Sequence, residues 1–118
     1  MNTSEFEETF ESRVNMCRTV LIQKAKEYGN RDDRLHNFNL AAQLNRRTPA
    51  QALWGMLTKH IISLSDMIQS GDDYSQEMWD EKIGNMLNYL FLLDAVTKDG
   101  YEPVEEKDAP DFLGPLAG

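Results

Sequence analysis

At 118 residues the chain has the length of one domain with a single modest core, and its 41% hydrophobic content suits a globular protein. Twenty acidic against twelve basic residues give a net charge of -8, which disfavours duplex nucleic acid as a partner because a duplex presents dense phosphate charge. One cysteine, Cys17, excludes an intrachain disulfide, and an acidic start with no run of eighteen apolar residues argues against signal peptide and membrane span, so the expectation is a cytoplasmic protein.

Ser4 followed by Glu7 reads as a capping box, after which Phe6, Phe10, Val14, Cys17, Val20 or Leu21 and Ala25 recur at helical spacing. This predicts a first helix over roughly 5–28. The turn-rich stretch Gly29 to Arg34 follows, then a short helix from Leu35 to Leu44, ended by Asn45-Arg46-Arg47. Thr48-Pro49-Ala50-Gln51 combines an N-cap, a proline at the first helical position and a glutamine at the third, predicting a helix from Pro49 to about Gln69. Its apolar face holds Leu53, Met56, Leu57, Ile61, Leu64, Met67 and Ile68, with a polar stripe of Lys59, Ser63, Asp66 and Ser70 beside it. The last helix is predicted over about Gln76 to Thr97. From Tyr101 the chain is acidic and contains Pro103, Pro110 and Pro115, so 1–100 is the expected helical domain and 101–118 a tail, extended or disordered, with Phe112 and Leu113 available for docking.

Within the last helix, Asn85 and Asn88 interrupt the most apolar stretch of the chain. At helical spacing they share a stripe with Glu81, while Ile83, Met86, Leu87, Leu90 and Leu93 cover most of the remaining surface. A buried amide without partners costs roughly 1–3 kcal/mol, so the stripe is either a structural polar network or the wall of a binding site. A helix apolar over so much of its circumference is most easily covered by another copy of the chain. The expected fold is therefore all-α: a bundle of three long helices plus one short helix, completed by oligomerisation as a homodimer or homotetramer.

Other chemistry-bearing groups are fewer. Arg31, Arg34, His36 and Asn37 offer donors suited to phosphate or base edges, or else form a solvated loop in which Asp32 and Asp33 neutralise the arginines. His60 falls on an apolar face, which favours a core or interface role over that of a ligand or general base. Trp54 and Trp79 read as core or interface residues that are also able to stack on a base. Glu81 is read as lying in the first turn of the last helix, where it favours the helix dipole. No Gly-rich phosphate loop, nucleophile elbow or Cys/His metal spacing is present, so no catalytic residue is assigned.

Lys26-Glu27-Tyr28-Gly29, Asn37-Phe38 and Ile83-Gly84-Asn85-Met86-Leu87, in that order along residues 10 to 97, resemble the MazG-like all-alpha nucleotide pyrophosphohydrolases, above all their small phage-encoded members. The resemblance implies a dimeric or tetrameric helical fold that binds nucleoside triphosphates and releases pyrophosphate with magnesium. It also implies metal ligands in a Glu-Glu-x-x-Glu run on one helix and a Glu-x-x-Asp pair on the next. Here Lys82 and Asn85 stand at the second motif, and Lys59, His60 and Ser63 lie near the first. Asp66 and Glu81, one helical step away, are the carboxylates left for a rearranged magnesium site.

Three functions follow as expectations. The first is a protein that binds or sequesters a phosphate-bearing nucleotide with no cofactor and little hydrolysis, such as a phage protein that removes a nucleotide immune signal. Its ligand-binding residues would be Arg31, Arg34, His36, Asn37, Lys59, Ser63, Lys82, Asn85 and Asn88. The second is a magnesium-dependent nucleoside triphosphate pyrophosphohydrolase using Asp66 and Glu81. The third is a structural helical oligomer without a ligand.

Overall fold

A computed structural model describes residues 1–25 and 33–100. Every regular element among them is helical: α1 (Thr3–Arg18), α2 (His36–Leu44), α3 (Pro49–Ser70) and α4 (Gln76–Lys98). The first helix runs directly into a π-helical segment, Thr19–Lys24. The chain beyond Ala25 in the expected first helix, the loop arginine Arg31 and the acidic tail lie outside the described residues.

Caps explain most boundaries. In α3 the Thr48 hydroxyl accepts from the Gln51 amide at 3.2 Å and the Gln51 side chain accepts from the Thr48 amide at 2.9 Å, as the sequence predicts. Gly71 ends that helix at φ 70°, a left-handed conformation that glycine adopts without a Cβ clash. Ser75 caps α4 by accepting from the Met78 amide at 3.1 Å. The capping box of α1 is Asn2 with Glu5 rather than Ser4 with Glu7, so the helix begins two to three residues earlier than expected. Glu77, not Glu81, occupies the first turn of α4; Glu81 sits a turn further in, beyond the reach of the dipole argument.

The hairpin of α3 and α4 carries the core. Leu53 and Leu57 are fully buried and cluster with Val96 of α4 and with Leu35 and Phe38, which bring α2 onto the same end. Burying a leucine side chain stabilises by about 1.5–3 kcal/mol, and no polar or charged residue is fully buried beside these. His60 stacks on Tyr89 with ring centroids 5.0 Å apart and fixes the register of the pair. The histidine is thus a half-buried packing residue, as its apolar neighbours suggested.

Helix α1 joins this hairpin through few residues. Cys17 is buried and Val14 half-buried, but residues 1–12 are exposed throughout. Phe6 and Phe10, which the helical spacing groups with the apolar stripe, are 61% and 55% exposed. Arg13 makes the main polar attachment. Its Nη1 donates to the Asp80 carbonyl at 3.1 Å, and its Nη2 lies 3.4 Å from the Asp80 carboxylate.

Candidate functional site

Two helices related as a hairpin count rotation in opposite senses, so a stripe displaced to the same angular side of the core on each helix ends up on one common flank. Taking about 100° per residue, Lys59, Ser63, Asp66 and Ser70 lie roughly a quarter to a third of a turn from the core direction of α3 defined by Leu53, Leu57 and Met67. On α4, Glu81 and Asn88 lie about a quarter turn, in the same sense, from the direction defined by Met86, Tyr89, Leu93 and Val96. The two polar stripes therefore share one side of the hairpin. The pairing of His60 with Tyr89 puts Ser63, one turn along, between the levels of Asn85 and Asn88.

Helix α1 borders this polar side. A Cβ on Gly84 would stand 2.9 Å from Nη1 of Arg13, so the missing side chain leaves the room that the guanidinium occupies. Gly84 precedes Asn88 by one helical turn, and both are turned away from the α3 contact in the same sense.

Asn88 carries the most distinctive polar atom of this flank. Its side-chain oxygen is buried and accepts no hydrogen bond from the described residues. Such an acceptor is a destabilising feature of about 1–3 kcal/mol unless a donor arrives from outside the fold. Asn85 and Ser63 are half-buried, Lys82 is half-buried beside the core direction, and Lys59, Asp66 and Glu81 are exposed. No hydrogen bond or ion pair links these side chains to one another among the described residues.

The other predicted residues are elsewhere. Arg34, His36 and Asn37 are exposed at the start of α2, and the adjoining Leu35 packs at the Leu53 end of the hairpin. Ten residues of helix separate Leu53 from Ser63, so these donors sit about 15 Å along the hairpin from the asparagine stripe. Asp66 and Glu81 lie on the same flank, but no group of three or more His, Cys, Asp or Glu side chains is arranged to hold a metal among the described residues. Two carboxylates with lysines beside them do not reproduce the five-carboxylate donor set that the resemblance implies for magnesium.

Sequence reading missed three participants. Arg13 and Gly84 form the contact that seats α1, and Asn39 on α2 has a second buried side-chain oxygen without a partner. The signal for Arg13 was available: it is a charge set between Phe10 and Val14 in an otherwise apolar spacing. A depression of about 660 Å³ lies instead along α1 and is lined by that helix and Thr19, with Glu7, Glu8 and Glu11 contributing. A shallow surface with three carboxylates repels phosphate and offers no opposing wall, so it is not the candidate site.

Neither a protein-family model, a curated protein nor a solved structure matches the chain. No described helix is long and apolar enough to cross a membrane.

Proposed function

We propose that the chain binds a phosphate-bearing nucleotide on the polar flank shared by α3 and α4 and hydrolyses it little or not at all. The observation that carries this is the buried, unpartnered side-chain oxygen of Asn88, set on the flank that also holds Asn85, Ser63 and Lys59. The resemblance of Ile83-Gly84-Asn85-Met86-Leu87 to MazG-like nucleotide enzymes adds weight to a nucleotide as the ligand. An amide oxygen only accepts hydrogen bonds, and so do ionised phosphate oxygens, so Asn88 is suited to a sugar hydroxyl or a base N–H. Lys59 and Lys82 supply the positive charge that phosphates require. A nucleotide immune signal held by a phage protein falls within this ligand class.

A metal-dependent pyrophosphohydrolase is the second reading, favoured by Asp66 and Glu81 sharing that flank. The donor set is poor for magnesium, and no catalytic step is assigned through it. One experiment separates the readings. Small molecules released from the purified, denatured protein are identified by mass spectrometry, and nucleoside triphosphates are titrated calorimetrically with chelator and then with magnesium. The expected result is a nucleotide that binds in chelator without releasing pyrophosphate. Asn88→Leu should abolish that binding while stabilising the ligand-free chain by about 1–3 kcal/mol, because a buried acceptor without a partner is removed. Magnesium-dependent pyrophosphate release lost in Asp66→Ala would establish the hydrolase, and absence of any bound nucleotide would leave a structural oligomer.

A further inference from the structure

An otherwise acidic chain gathers three arginines at one end of the hairpin. Between Arg34 and Ser65 the sequence has no aspartate or glutamate, and Arg34, Arg46 and Arg47 all belong to that stretch. Because α2 packs at the Leu53 end, Arg34 stands there beside Leu35, and Arg46 and Arg47 stand in the turn that leads to the Thr48 cap. All three are exposed. Trp54, about 9 Å along α3 from that cap, is 57% exposed at the same end. The carboxylates nearby are Asp33, Asp94 and Asp99, of which Asp33 accepts from the Leu35 amide at 3.0 Å and Asp94 is paired with Lys98 at 2.8 Å. The opposite end, around the turn between α3 and α4, carries Asp72, Asp73 and Glu77 instead.

We propose that this end is the docking surface for segment 101–118 of the same chain, which lies outside the described residues, with its carboxylates on the three arginines and Phe112 and Leu113 on Trp54. The exit point of the chain favours that occupant. Helix α4 ends at Lys98, at the same end of the hairpin as Val96, Leu35 and Leu53, so the segment starts beside the surface it covers. Packed helices lie about 8–10 Å apart and the twelve residues from Gly100 to Phe112 span at most about 40 Å, so Trp54 is within reach. Charge favours it too. The segment sets Glu102, Glu105, Glu106, Asp108 and Asp111 against Lys107 alone. A single exposed ion pair contributes little, but several carboxylates facing several guanidiniums make paired hydrogen bonds, and a tether gives the segment an effective concentration on the order of millimolar. A polyanion from outside would meet the same arginines only against the repulsion of a chain of net charge -8.

In the full chain carrying Trp79→Phe, Trp54 is the sole tryptophan and reports the contact. Acrylamide should quench it about half as fast at low salt as at about 1 M salt, where charges are screened beyond about 3 Å and the covered face of the ring reopens. Phe112→Ser with Leu113→Ser should give the fast rate at both salt concentrations. Arg47→Glu should give it at low salt, and adding Glu105→Arg with Glu106→Arg should restore the slow rate, with helical circular dichroism unchanged throughout. Amide exchange over 102–113 in the wild-type chain gives the same reading without any variant: slowed at low salt and at the unstructured rate at high salt. Unstructured exchange at both salt concentrations, or quenching indifferent to Arg47→Glu and to the Phe112 and Leu113 substitutions, would overturn the proposal. Protection that fades on dilution would overturn it as well, since the segment would then come from a second copy.

Discussion

Gly84 is worth more for what it admits than for its own conformation. Glycine in a helix interior costs roughly 0.5–1 kcal/mol relative to alanine, yet here it leaves the space into which the Arg13 guanidinium reaches. The clashing atom is the far end of a flexible side chain, so Gly84→Ala gains helix propensity while displacing one hydrogen bond to the Asp80 carbonyl. The expected net change is within about 1 kcal/mol, since a typical hydrogen bond contributes about 0.5–1.5 kcal/mol. In an Arg13→Ala background the same substitution should stabilise by about 1 kcal/mol, because only the propensity gain remains. Denaturant melts of the four variants in a double-mutant cycle check this, and equal effects in both backgrounds would remove Arg13 as the reason for glycine. Asn88 stands out in the sequence as an amide in an apolar run. Its unpartnered oxygen does not, because hydrogen bonding depends on which neighbours the fold supplies.

At the level of single helices, local chemistry sets most boundaries. Thr48, Pro49 and Gln51 start α3 where their types require, and Gly71 stops it. The two capping boxes should nevertheless respond differently to removal. Thr48→Ala frees a capping amide on a helix anchored by Leu53 and Leu57, and should lower global stability by about 1 kcal/mol. Asn2→Ala removes an equivalent cap from a helix whose residues 1–12 are exposed, so the loss should appear as faster amide exchange over those residues with little change in the melting temperature. A shift in global melting as large for Asn2→Ala as for Thr48→Ala would mean that this arm is covered. The π-helical segment is the element that sequence reading missed. At its start the Thr19 hydroxyl donates to the Asn15 carbonyl at 3.0 Å while the Thr19 amide is shared between Asn15 and Met16, a doubled demand on one carbonyl that accompanies the widening. Nothing in the spacing of Val20, Leu21 and Ile22 announces it.

Taken as a whole, the molecule rests on a small core at one end of a long hairpin. Leu57→Ala should therefore cost about 2–5 kcal/mol, because the neighbouring α2 and α4 residues cannot all collapse into the space left. Thermal melts are the check, and a cost under about 1 kcal/mol would place the core elsewhere.

The sequence by itself determined the helical class, the ends of α3 and α4 and the two polar stripes, because caps and helical periodicity act over three or four residues. Only the tertiary structure decided which apolar side chains are covered. Phe10 and Trp54 satisfy the helical spacing as well as Leu53 does, but exposure depends on partners distant in the chain. Arg13 and Asp80 are 67 positions apart, and their meeting places the guanidinium in the space left by Gly84, one turn beyond Asp80. The common flank shared by Ser63 and Asn88 is likewise a consequence of the hairpin, since two stripes on separate helices become one polar surface only when the register of His60 against Tyr89 brings them level.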